Sequence, residues 1–437
     1  MSEAPSLQRS LRLPQTTALV VGIIIGASIF VQPSEITRQI PSVTGILLAW
    51  LAAGALTICG ALVCAELASA FPHSGGVYVY LNEAYSPALG FLWGWAMFWS
   101  MHSGIIAAIA VVFARYLAVF VPIEAFGQHC VAVGVIALLT AVNYVGVTHG
   151  GRVQTIFTAF KLTAIVLLII AGLTLAPAAV HSTSVALGSI GIRPFVLGIG
   201  AGLFAFGGWH MVTYAAGETV DPSRTIPRAL LIGTLIVTAC YAGLNAIYLR
   251  VLPLDAVRSS TRVAADAASV LLGSGGAGLV TGLVLISTFG ALNGIVLSGP
   301  RVYFAMAERG VIFRGLGAVH PRFRTPSRAI LLQGVWSAAL AWMSSYRELF
   351  SRVVYTEWVF FALLAMGLIL LRRRADYRPA YRVWGYPVVP IVFAVASLYI
   401  AITQLAADPR SGAMGCALVL AGLPVYYLWA RPGVASA

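Results

Sequence analysis

One lysine stands among twenty-six arginines, and it lies within an apolar run. Lys161 sits in "FTAFKLTAIVLLIIAGL". A buried amine can give up its proton, whereas a guanidinium keeps it, and an ionisable group within a membrane-length run is a functional candidate. Such an amine would donate to carbonyls or relay a proton. The bland alternative fits the sequence equally: a side chain about 10 Å deep that snorkels toward the headgroups. Two other stretches break apolar runs with glycine. They are "GIIIGASIF", Gly22 to Phe30, and "GIGAGLFAFGGWH", Gly198 to His210. An unwound helix inside a membrane leaves N–H and C=O groups unpaired, at several kcal/mol each, unless they line a polar cavity. There the N–H groups attract a carboxylate and the carbonyls an ammonium, so one α-amino acid satisfies both. Gly22-x-x-x-Gly26 alone would be a helix-packing motif. A second break at a corresponding place is the pattern of a transporter binding site.

The elements that must hold these residues are apolar helices. The chain has 437 residues, 59% hydrophobic and 9% charged, against about 25% charged in a soluble domain. Twelve spans are predicted, at roughly 15–32, 43–71, 88–118, 127–147, 154–175, 193–215, 227–250, 275–307, 329–346, 350–371, 384–403 and 412–430. They make one all-α polytopic membrane domain. Both broken spans open a set of five, about 15–175 and 193–371, leaving two additional helices at 384–430. Five is odd, so the two sets would have opposite topology.

Seventeen arginines fall on the segments that share a side with the N-terminus and eight on the opposite side. This places both termini in the cytoplasm, in a cytoplasmic membrane. The net charge of +13 therefore reflects topology and anionic lipid, with no nucleic-acid partner. The first run lacks a cleavage site and reads as a retained span. The five cysteines form no CxxC pair, so no metal site or disulfide framework is expected.

The sequence resembles the amino acid–polyamine–organocation (APC) superfamily, most closely its L-type amino acid transporter branch. The likeness runs over about residues 14–375. It rests on "GIIIGASIF", "CAELASAFPHSGGVYVYLNEAY", "FTAFKLTAIVLLIIAGL", "LFAFGGWHMVTYAAGETVDPSRTIPRAL" and "ISTFGALNGIVLSGPRVYFAMAERG". The resemblance implies the five-plus-five inverted-repeat, LeuT-like fold with helices 1 and 6 unwound. It implies a substrate site at Ile24, Gly26, Ala27, Ser28, Ile29, Phe204, Ala205, Phe206 and Gly207. The N–H groups of Ala27, Ser28 and Ile29 would meet the carboxylate. Carbonyls of Ile24, Phe204, Ala205 and Gly207 would meet the ammonium. Phe204 and Trp209 would gate. Lys161, with Ser287 and Thr288 as polar neighbours, would fill the place of a sodium ion. Ser28 departs from the family's usual glycine, and His210 from its usual smaller polar or acidic residue.

The expected function is sodium-independent secondary transport of neutral L-amino acids, by exchange or with a proton. No cofactor is implied, and an accessory subunit is left open. A polyamine or other organic-cation carrier would want more carboxylates within the spans. A membrane enzyme would want a nucleophile–base or metal constellation, and no HxxxH or HExxH pattern occurs. A non-transporting sensor is compatible with the sequence. Among the other charged residues, Glu218 and Arg301 read as an inner gate or as solvated charges. Glu357 reads as water-facing near the outer boundary, and Arg372–Arg374 as a lipid anchor.

Overall fold

The structure, a computed structural model, describes residues 7–176, 186–343 and 346–429. Long apolar runs give long helices, with α1 at Leu13–Ile24, α2 at Ser28–Gln39 and α3 at Val43–Ala70. Next come α4 at Pro87–Leu117, α5 at Ala125–Val145 and α6 at Val147–Thr174. The sixth span is α7, Ile192–Ala205, followed by a 3-10 segment, Trp209–Glu218. It leads to α8 at Pro222–Val251 and α9 at Gly276–Glu308. The last helices are α10 at Ser327–Met343, α11 at Tyr346–Leu371, α12 at Val388–Ala407 and α13 at Gly412–Trp429. Caps set several starts. Ser42 accepts from the Gly45 N–H and Ser86 from the Leu89 N–H, with Pro87 following in the first turn of α4.

Among the described residues nine helices are long and apolar enough to cross a membrane, ten when the pair α1 and α2 counts as one. That pair bends by 45° at its break. Predicted span 329–346 corresponds to α10, of 17 residues, and its end falls outside the described residues. Of the arginines used for topology, Arg431 and the side chains of Arg347 and Arg352 also lie outside them.

The core is the packing around the first break. Helix α1 packs against α6, α8 and α9, while α2 packs against α7. Nearly every α1 side chain from Leu19 to Ile25 is buried. Four expectations need correction. Helix α6 begins at Val147, seven residues before the predicted span, because Arg152 and Gln154 depress its hydropathy there. Lys161 is therefore about 20 Å along the helix at 1.5 Å per residue, too deep to snorkel. Glu218 and Arg301 are fully buried, not solvated: Arg301 donates from Nε and Nη2 to the two carboxylate oxygens at 2.7 and 2.9 Å. Arg372 anchors α11 to protein, donating to Glu66 of α3 and lying 3.9 Å over the Tyr386 ring. Glu357 is twelve residues into α11 and its side chain is only 13% exposed.

Candidate functional site

The first break is three residues wide. Helix α1 ends at Ile24, and the Gly26 N–H turns back to the Ile24 carbonyl at 2.8 Å. Helix α2 starts at Ser28, and of its first turn Phe30 donates to the Ala27 carbonyl at 3.1 Å, whereas Ser28 and Ile29 precede any carbonyl their helix could offer. Ser28 is not among the left-handed residues, so serine is unstrained where the family's glycine would stand. In the sixth span the glycine the backbone requires is Gly208, at φ +92. A side chain there would be strained and would also collide with Ile23 of α1. Gly207, beside it, faces open space on one side and donates its N–H to the Phe204 carbonyl at 3.1 Å.

The two breaks face one cavity. From the first, Ile24, Gly26, Ala27 and Ser28 line it; from the second, Phe204, Ala205, Gly207 and Trp209. Helix α4 closes a third side with Gly104 and Ala108, and α11 a fourth with Glu357 and Trp358. Two of the predicted residues are not in its wall. Ile29 is buried behind the break, and Phe206 turns away to pack 4.9 Å from Tyr241 and 6.3 Å from Trp50. Trp209 is held by Phe361 at 5.2 Å and Phe393 at 6.0 Å.

Lys161 is fully buried. Its ammonium donates to the carbonyls of Gly22 at 3.0 Å, Ile25 at 2.7 Å and Ser287 at 3.0 Å. Three donors thus meet three carbonyls drawn from α1, the break and α9, the arrangement a small cation would make with the same oxygens. The neighbour on α9 is the Ser287 carbonyl. The Thr288 hydroxyl is spent within its own helix, on Val284 and Leu285.

Sequence reasoning missed three sets of partners on other helices. The Tyr241 hydroxyl of α8 lies 3.0 Å from both the Ile24 and Ala205 carbonyls and ties the two broken helices together, donating to one at a time. On α6, Gln154 and Thr158 donate to the Ala18 carbonyl at 3.4 and 3.0 Å. Their approach needs the bare Gly22 opposite them. The third is Glu357, which sits 3.5 Å from His210 Nε2.

The N-terminal segment is strapped to the end of the sixth span. Ser10 and Leu11 donate their N–H groups to the Glu218 carbonyl at 2.9 and 3.0 Å, and Val220 donates back to Leu11 at 2.9 Å. The buried pair of Glu218 and Arg301 lies beside this strap.

Helices interrupted face to face around a buried cavity define a multi-pass membrane protein of the transporter class. The amino acid permease family matches residues 11–421, and the chain belongs to that family. It is 34% identical to the serine/threonine exchanger SteT of Bacillus subtilis, over 98% of both chains. It is 30% identical to the human b(0,+)-type amino acid transporter 1, over 97% of this chain and 88% of that one. The human cystine/glutamate transporter is 29% identical, over 98% and 86%.

Proposed function

We infer that the chain carries neutral L-amino acids across the cytoplasmic membrane by alternating access, without sodium. The observation that carries this reading is the junction at Lys161, whose ammonium spans Gly22, Ile25 and Ser287 beside the cavity between the breaks. A side chain that already satisfies those carbonyls leaves no need for a metal cation there. In this reading the substrate carboxylate takes the N–H groups of Ala27 and Ser28. Its ammonium takes second lone pairs on the carbonyls around Ile24, Phe204, Ala205 and Gly207. Phe204 closes over it and Trp209 supports the floor. Spans 1–5 and 6–10 act as inverted repeats, twelve spans in all, with both termini cytoplasmic.

Exchange is supported by SteT being a serine/threonine exchanger, and the amino-acid class by the three relatives being amino acid transporters. Counterflow into proteoliposomes tests the reading, with serine, threonine, alanine, leucine, glutamate and putrescine as the panel. Exchange of the neutral amino acids is expected. Exchange of putrescine alone would make the protein an organic-cation carrier. Binding with no exchange of any member would make it a sensor.

A further inference from the structure

Glu357 brings the one ionisable side chain into a cavity wall that is otherwise mostly apolar, among the described residues. Its ion-pair partner is His210, with Nε2 3.5 Å from Oε1 and the imidazole wholly buried. The groups around this pair come from every element packed on it. Tyr214, on the same 3-10 segment, has its ring 5.6 Å from His210. His102 of α4 is 5.4 Å from Tyr214. Cys64 of α3 and Tyr303 of α9 lie near Tyr214. Trp93 of α4 packs on His210 at 5.8 Å. No lysine or arginine faces the pair among the described residues. Among the described residues, both ring nitrogens of His102, Nδ1 of His210 and the Tyr303 hydroxyl find no hydrogen-bond partner, and His210 Nε2 has only its 3.5 Å approach to Glu357. Buried polar groups are rarely left so, and clusters of them mark functional sites.

We propose that Glu357 and His210 form a proton-binding site in the wall of the substrate cavity, so that amino-acid entry is coupled to entry of a proton. The inference rests on the transport reading above and adds its coupling ion. With one proton between them the pair is neutral, whichever atom holds it. Without that proton a bare carboxylate faces the cavity. Water solvates the carboxylate while the cavity is empty. A bound amino acid displaces that water and brings a second carboxylate to Ala27 and Ser28 in the same cavity. Closing over the substrate then buries an uncompensated carboxylate beside a second one unless the pair takes up a proton. Empty return keeps the water and needs none. On uptake an O–H bond of protonated water in the open cavity breaks as the Glu357 O–H bond forms, His210 Nε2 sharing that proton, and on release the proton returns to water on the opposite side. Tyr214 continues the titratable groups from His210 along the segment that leads to Glu218, with His102 of α4 packed beside it.

The test uses proteoliposomes of the full chain and the neutral amino acid of the panel that exchanges fastest. Two quantities are read: accumulation driven by a one-unit pH gradient, acid outside, and acidification of a lumenal pH dye on substrate addition. Each is divided by the counterflow of the same preparation. One proton per substrate gives wild-type accumulation of up to about tenfold per pH unit, with lumenal acidification. Glu357→Gln and His210→Asn should bring accumulation to about one and abolish acidification, while Glu357→Asp should keep both. Wild type indifferent to the gradient, or variants coupled like wild type, would overturn the proposal. Loss of counterflow in both Glu357→Gln and His210→Asn would also overturn it, since the pair would then serve the cycle itself and not its proton. Absence of counterflow in wild type would instead sink the transport reading.

Discussion

The Lys161 ammonium sits 2.7 Å from the carbonyl of Ile25, joining the middle of α6 to the break in the first span. Ile25 is one residue past the end of α1, where a helix would otherwise leave its carbonyl unpaired. The lysine thus holds the unwound backbone in place and ties it to α9 through Ser287.

Removing that tie should disable transport. Lys161→Ala strips charge-assisted hydrogen bonds, each about 1.5–3 kcal/mol. Losing one where the cycle is slowest would cut uptake about ten- to a hundredfold. Lys161→Arg should not rescue, because a planar guanidinium does not fit three converging carbonyls. Uptake by both variants, normalised to monodisperse protein, decides this. Normal uptake by the arginine variant would reduce Lys161 to a packing cation.

The two glycines of the first break should separate. A methyl at Gly22 runs into Gln154 and Thr158, whereas one at Gly26 meets only the Ala291 methyl at 3.5 Å. Gly22→Ala should destabilise by about 1–3 kcal/mol through overpacking, visible as a lower melting temperature in detergent. Gly26→Ala should melt like wild type, and Gly26→Leu should fold but lose binding by titration calorimetry, because its side chain fills the cavity. Unchanged binding in Gly26→Leu would make Gly26 a packing residue.

Phe204 is half-buried at the cavity wall. If it closes over substrate, Phe204→Ala should slow transport by a larger factor than it weakens binding. Calorimetry and initial uptake rates on one preparation separate the two. Equal losses would make it an ordinary wall residue.

The end of the sixth span carries a buried charge pair. Glu218→Ala leaves Arg301 uncompensated and should cost about 3–5 kcal/mol, whereas Glu218→Ala with Arg301→Met should regain part of it. Thermal melts of the single and double variants provide the comparison. A single variant as stable as wild type would mean that water reaches Arg301.

Much of this site was legible because glycine and a lone lysine are poor choices for a membrane helix unless something compensates. The places of both breaks followed from that. Partners contributed by distant helices did not, since Tyr241 and Gln154 look like ordinary helix residues until α8 and α6 fold against α1. Depth was the weakest reading. The hydropathy of a run does not register a single ionisable residue, so Glu357 was put at the boundary when it faces the cavity. A polar face on α6 shortened the predicted span and made Lys161 look shallow. In the sixth span the paired glycines were visible, but only backbone geometry shows that Gly208 is the one in the left-handed region.

The central claim is that a lysine replaces a cation at the broken helix, and sodium dependence tests it most directly. Initial uptake into wild-type proteoliposomes should be measured with sodium on both sides and again with choline in its place, at one pH. The account predicts equal rates. A rate that rises with sodium and saturates would contradict it, because a metal site would then exist in addition to Lys161.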